Sequence, residues 1–99
     1  MQRCRGCGIG LKDAPEVLAL HLANSRICLV AYNDTTIWHD GWEIICGTLH
    51  IRESGESKRG KWQIRGLQRT GRNVMVRRVR TKMDAQQWIE IANRKGSTC

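Results

Sequence analysis

Cys4 and Cys7 stand three apart in the opening segment MQRCRGCGIG, with Arg3 and Arg5 flanking Cys4 and a glycine within two residues after each cysteine. Two thiolates at this spacing on a tight turn can share one tetrahedral ion, so the segment has the form of half a zinc site. A zinc ribbon would supply a second CxxC, and the sequence has none. The other donors on offer are His21, Cys28, Cys46, His39 and His50. His21 with Cys28, seven residues later, closes a site around the knuckle most directly. The expectation is therefore a structural zinc held by Cys4, Cys7, His21 and Cys28, with no open position for chemistry. The plainer alternative makes Cys28 and Cys46 small core residues and His21 an ordinary helix histidine. A redox reading of the same pair has Arg3 and Arg5 favouring thiolates. A thioredoxin-type pair sits between a strand and a helix, however, and no strand precedes this one.

These side chains need elements to position them. After a glycine-rich knuckle over 1–12, Asp13, Pro15 and Glu16 carry the signals of a helix start, and Val17, Leu18, Leu20, His21 and Leu22 continue it over 13–24. RICLVAY (26–32) reads as a strand and Asn33-Asp34 as a turn. WEIICGTLHIRE (42–53) reads as a second strand with Gly47 as a bulge. GESKRG (55–60) connects it to a third strand, KWQIRGL (61–67), and RTGRN (69–73) turns into a fourth, VMVRRVRT (74–81). Val79 falls out of phase with Val74 and Val76, which predicts a bulge near Arg77-Arg78. Thr81 and Asp84 form a capping pattern before a helix over 82–95, whose Ala85, Trp88, Ile89 and Ala92 share one face and whose C-cap is Gly96. The expected fold is α+β over residues 1–99 as a single domain. An antiparallel meander of about four strands fills 26–81, with the C-terminal helix packed on the sheet.

Composition bounds the rest. The four tryptophans (Trp38, Trp42, Trp62 and Trp88) are scattered, as core anchors would be. No apolar run approaches the length of a membrane span. Asp13, Pro15 and Glu16 interrupt what could otherwise pass for a signal peptide. A cytoplasmic protein is expected, where CxxC means metal or redox chemistry more often than a structural disulfide. His39-Asp40 reads as part of a turn, since no nucleophile motif accompanies it, and an enzyme is not expected.

The formal net charge is +8, and it is not evenly spread. Residues 58–82 hold Lys58, Arg59, Lys61, Arg65, Arg69, Arg72, Arg77, Arg78, Arg80 and Lys82 and no acidic residue, while the remainder carries seven basic and nine acidic side chains. Ten cations without a counter-charge in their own segment predict an acidic partner. A twisted basic ribbon fits a DNA major groove, and arginine suits bidentate contact with phosphate or guanine. Along the third strand Lys61, Gln63 and Arg65 alternate with Trp62 and Ile64, so one set faces the partner and the other the core. DNA is favoured over RNA because no aromatic residue stands out as a base-stacking platform. The second reading is a protein-binding inhibitor or adaptor that docks the same hairpin on an acidic partner.

Residues 60–92, GKWQIRGLQRTGRNVMVRRVRTKMDAQQWIEIA, resemble the amino-terminal arm-binding domain of phage tyrosine recombinases. Gly60, Lys61, Trp62, Thr81, Lys82, Ala85 and Trp88 match its pattern of a Gly-x-Trp strand, a basic hairpin and Thr-Lys-x-x-Ala-x-x-Trp opening the helix. The resemblance covers about a third of the chain. It implies a three-stranded sheet followed by a helix, with DNA read by the sheet face that bears Lys61, Arg65 and Arg77. Recombinase activity is not carried over, because no catalytic domain follows. An accessory protein of a phage or mobile element is the origin this analogy suggests.

Overall fold

The structure, a computed structural model, describes residues 1–55 and 58–95. The cysteine loop is closed by a minimal hairpin, β1 (Gln2–Arg3) against β2 (Gly10–Leu11). Next comes α1 (Pro15–Ala23), with Pro15 in its first turn. Asp13 does not cap it as expected. Ala14 occupies the cap position without a side-chain bond, and the Asp13 carboxylate pairs with the amino terminus of Met1 at 2.9 Å.

The strand expected over 26–32 is instead a helix, α2 (Arg26–Val30). Ser25 caps it by accepting from the Cys28 N–H. Cys28, Leu29 and Tyr32 turn inward while Ile27 and Val30 face water, which is helical rather than alternating periodicity. An apolar run this short fits either element, and the cap at Ser25 decides it.

A short 3-10 turn (Asn33–Thr35) leads into a hairpin that the sequence did not announce, β3 (Thr36–His39) with β4 (Trp42–Ile45). Its two-residue loop, Asp40 and Gly41, has both φ angles positive, as a type I′ turn requires. The single strand expected over 42–53 is thus two. The chain turns at Gly47 (φ +84°), and the buried Thr48 hydroxyl holds the corner by donating to the Ile45 carbonyl and accepting from the Leu67 N–H.

The remaining strands form one antiparallel sheet in sequence order, β5 (His50–Glu53), β6 (Trp62–Leu67) and β7 (Asn73–Val79). The register steps from Ile64 opposite Arg77 to Arg65 opposite Met75, leaving Val76 as the extra residue of a bulge. This bulge lies one residue before the predicted place and restores Val79 to the inward phase. α3 (Lys82–Lys95) packs on the sheet, capped by Thr81, whose hydroxyl accepts from the Asp84 N–H at 3.1 Å. The fold is α+β, as expected, but its meander is replaced by two separate antiparallel units. The predicted Gly96 cap and part of the 55–60 connection lie outside the described residues.

Two apolar clusters fill the interior. One joins Cys4, Leu18, Ala19, Leu22, Cys28, Leu29, Tyr32, Ile45 and Leu67. The other joins Ile44, Leu49, Ile64, Val74, Val76, Ala85 and Ala92, with Trp88 and Ile89 packed against it. Consecutive residues Ile44 and Ile45 serve opposite clusters, because successive strand side chains point to opposite faces.

Candidate metal centre and basic sheet face

The knuckle is built by backbone first. Cys4 N–H donates to the Ile9 carbonyl at 3.0 Å, Gly8 N–H to the Cys4 carbonyl at 2.8 Å, and Gly6 N–H to Cys4 Sγ at 3.3 Å. This loop lies directly on α2: a Cβ at Gly6 would stand 2.6 Å from the Cys28 Cα, so only glycine permits the approach. Tyr32 fixes the same loop from below, accepting from the Arg5 N–H at 3.0 Å while the Arg5 guanidinium lies 5.5 Å from its ring centre.

The consequence is that one donor atom from each of Cys4, Cys7, His21 and Cys28 falls within 4.8 Å of every other. Cys7 Sγ and His21 Nε2 are 3.5 Å apart. Tetrahedral zinc with ordinary Zn–S and Zn–N bonds separates its ligand atoms by roughly 3.5–3.8 Å. The expected four residues are therefore brought together, and they could hold a metal such as zinc. His39, His50 and Cys46 lie outside the group. His39 ends β3 against Trp88, His50 Nδ1 meets the Thr48 carbonyl, and Cys46 N–H closes the β3–β4 ladder on Thr35.

The electrostatics of the group also suit a cation. Burial works against ionising Cys4, but the N–H groups of Cys7 and Gly6 and hydrogen bonds from Cys28 and His21 outweigh it and bring that thiol to about 7. At Cys28 the Ser25 hydroxyl favours the thiolate, whereas burial and the neighbouring Cys4 and Cys7 oppose it, and the net shift is upward. Three thiols this close cannot all ionise alone, and a divalent ion removes that conflict.

The basic residues are arranged by sheet register. Arg52, Gln63 and Arg78 stand abreast across β5, β6 and β7, and Arg65 lies opposite His50 and Met75 in the next row of the same face. This face alternates with the one carrying Ile51, Ile64 and Val76, on which α3 packs. Arg65 is held rigidly: Nε donates to Asn73 Oδ1 at 2.7 Å, Nη2 to the Asn73 carbonyl at 3.1 Å and Nη1 to Gln63 Oε1 at 3.0 Å. Burial, and then the charge of Arg52, lowers its pKa, so the pair repels and an anion between them would be welcome. Arg78 donates to Ser54 Oγ and the Gly60 carbonyl. Lys61 reaches Glu53 at 3.6 Å and lies over the Trp62 ring.

Other members of the basic run are placed differently. Arg77 is set opposite Ile64 by the bulge, off the row expected for it, and pairs with Asp40 at 3.4 Å. Arg69 folds back to Glu43 at 3.4 Å rather than reaching outward from the turn. Lys58 and Arg59 join Met75, Val76, Arg77 and Arg78 around a groove of about 660 Å³. Arg72, Arg80 and Lys82 are exposed and make no ion pair among the described residues.

Three residues escaped the sequence reading. Arg52 lies outside the basic run, and only its alternation with Ile51 hints at its face. Trp38, taken for a core anchor, is 73% exposed, and Trp42 is 39% exposed. Trp62 and Trp88 are half-buried, so none of the four is fully enclosed.

No protein-family model, curated protein or solved structure matches the chain. What fold and site define is a mixed α+β domain with a three-cysteine, one-histidine cluster and a sheet face that bears arginines. No helix among the described residues is long and apolar enough to cross a membrane.

Proposed function

We propose that this chain is a nucleic-acid-binding protein, not an enzyme, that grips duplex DNA with the sheet face carrying Arg52, Gln63, Arg65 and Arg78 and uses zinc as an internal clamp. Cys4, Cys7, His21 and Cys28 supply the four zinc ligands, and the ion ties the knuckle to α1 and α2. The observation that carries the binding reading is the register: it aligns Arg52, Gln63 and Arg78 across three strands with Arg65 beside them. Arginine and glutamine in fixed rows offer bidentate contacts to phosphates and base edges, and Arg65 needs no ordering before it binds. The resemblance of residues 60–92 to recombinase arm-binding domains favours DNA as the ligand of this sheet, with Lys61 and Arg65 on the face it points to and Arg77 off it.

The test is fluorescence anisotropy with a labelled duplex at several salt concentrations. Affinity should fall steeply with salt, at about 0.9 log units per log unit of salt for each phosphate contacted. Arg52→Ala with Arg65→Ala should weaken binding and reduce that slope by about 2. A duplex left unbound at low salt overturns the reading and turns attention to an acidic protein as the partner.

A further inference from the structure

The three-stranded sheet ends in two edges of different character. β7 carries the bulge at Val76 together with Arg77 and Arg78, devices that discourage another strand from pairing with it. β5, at the other edge, is regular, with every residue from His50 to Glu53 in register with β6. The Ser54 N–H donates to the Lys61 carbonyl at 2.7 Å, which fixes the phase of the ladder. Counting back by twos, Arg52 and His50 turn their main-chain groups to β6, and Ile51 and Glu53 turn theirs outward. Those outward N–H and C=O groups meet no backbone partner among the described residues. Beside this edge lies a groove of about 510 Å³, inside the roughly 300–1,000 Å³ of ordinary ligand pockets. Leu49 and Ile51 line it from the strand and Ile89 from α3. Ile51 and Ile89 are only half-buried at the margin of the sheet cluster. The two carboxylates of the groove, Glu16 and Glu90, outnumber its one lysine, Lys82, so it differs in sign from the basic face. Glu90 is taken by Arg94 at 2.6 Å, whereas Glu16 makes no ion pair among the described residues.

From this juxtaposition of an unpaired strand edge and an acidic, apolar-walled groove, we infer that β5 takes up an extended peptide of a partner protein as a fourth antiparallel strand. Outward main-chain groups at alternate residues match the backbone of another strand, which neither a helix nor a small molecule supplies. Residues paired across a ladder share a face, so the peptide residue opposite Ile51 sends its side chain toward α3 and the groove. An apolar residue belongs there. In an antiparallel strand the residue two positions later lies opposite Leu49, where Glu16 lines the groove, and a lysine or arginine suits it. The recognised segment is therefore apolar-x-basic in extended conformation. This surface is separate from the proposed DNA face and does not depend on it.

The probe is the peptide acetyl-Thr-Thr-Val-Thr-Lys-Thr-amide, titrated into isotopically labelled protein and followed by the backbone amide signals. A cationic peptide is not drawn to a chain of net charge +8 by general attraction, so its binding reports a site. The signals of Ile51 and Glu53 should shift most. N-methylation of the peptide's valine removes the N–H that pairs with Ile51 and should weaken binding by about tenfold or more. Glutamine in place of the peptide's lysine should weaken it by about two- to fivefold, and Glu16→Gln in the protein should erase that difference. Glu53→Pro removes an outward N–H where an edge strand tolerates proline and should abolish binding, with circular dichroism confirming that the fold persists. The N-methylated peptide tests the same edge on the native chain. No shift at about millimolar peptide, or equal binding by the N-methylated peptide, overturns the inference. A glutamine peptide that binds as well as the lysine peptide overturns the basic partner. A dimer in sedimentation that Glu53→Pro dissociates places a second copy on the edge and overturns the peptide.

Discussion

The two interior clusters are similar in size but are organised by different chemistry. The sheet cluster is aliphatic: Ile44, Leu49, Ile64, Val74 and Val76 meet Ala85 and Ala92 of α3, and no titratable group is needed to complete it. The knuckle cluster places Cys4 and Cys28 among Leu18, Leu22, Leu29 and Tyr32, so sulfur occupies sites where the other half has methyl groups. Its elements are also shorter. α2 has five residues and β1 and β2 two each, against fourteen in α3 and seven in β7. Short helices and two-residue strands are marginal by themselves. The difference teaches that the sheet half can stand on apolar burial, whereas the knuckle half depends on whatever joins its four donors.

The largest effect should therefore follow from attacking those donors. Removing the proposed zinc with a chelator, or replacing Cys28 by Ser, is expected to unfold α1, α2 and the knuckle while the sheet and α3 persist. Structural zinc contributes on the order of 10–16 kcal/mol in small metal-dependent domains, which matches or exceeds the ~5–15 kcal/mol stability of a whole domain. Amide hydrogen exchange resolves the two halves: protection at residues 17–30 should vanish and protection in β6 and β7 should remain. Protein that takes up no zinc on titration and melts identically with and without chelator would show the cluster to be ordinary thiol packing.

The converse experiment is next in size. Ile64 is fully buried and central to the sheet cluster, so Ile64→Ala should cost about 2–5 kcal/mol through lost burial and the cavity left behind. A urea titration measures it. Zinc stoichiometry should be unchanged, because none of the four donors touches that cluster. A loss of metal in this variant would mean that the halves do not separate and that Thr48, hydrogen-bonded to both Ile45 and Leu67, couples them.

The same contrast governs what the sequence made legible. α3 and the β6–β7 hairpin were readable because long periodic segments, a Thr cap and a glycine-bearing turn all agree there. The gathering of Cys4, Cys7, His21 and Cys28 was readable from their chemistry and spacing alone, even though the element carrying Cys28 was misread. What failed was local and short. The run over 26–32 has no periodicity long enough to discriminate, and the corner at Gly47 looked like a bulge because nothing in the sequence shows that Thr48 bonds to Leu67. Arg77 was assigned to the wrong row because a bulge misplaced by one residue reverses a side chain. Trp38 was misassigned because tryptophan is usually buried, and nothing in the sequence marks this one as exposed.

The smallest effect concerns His39, and it sharpens the boundary between the halves. Its ring lies 5.9 Å from Trp88, its Nε2 is buried without a hydrogen-bond partner among the described residues, and burial lowers its pKa against the weaker, opposite pull of Asp40. The folded protein therefore holds the imidazole neutral where the unfolded chain, near the ordinary 6.5, would bind a proton. Stability from this site is complete above pH 6.5 and falls as the pH drops through the lowered folded value, because the unfolded state then binds more protons. A sheet-half melting temperature a few degrees lower at pH 5 than at pH 7.5 is expected, and His39→Leu should flatten that difference. Acid also displaces metal by protonating thiolates, but that loss registers on α1 and α2, whereas the His39 effect registers on the fluorescence of the neighbouring Trp88. If His39→Leu leaves the acid sensitivity of the sheet half intact, the proton acts through the metal centre, and the two halves share one transition rather than two.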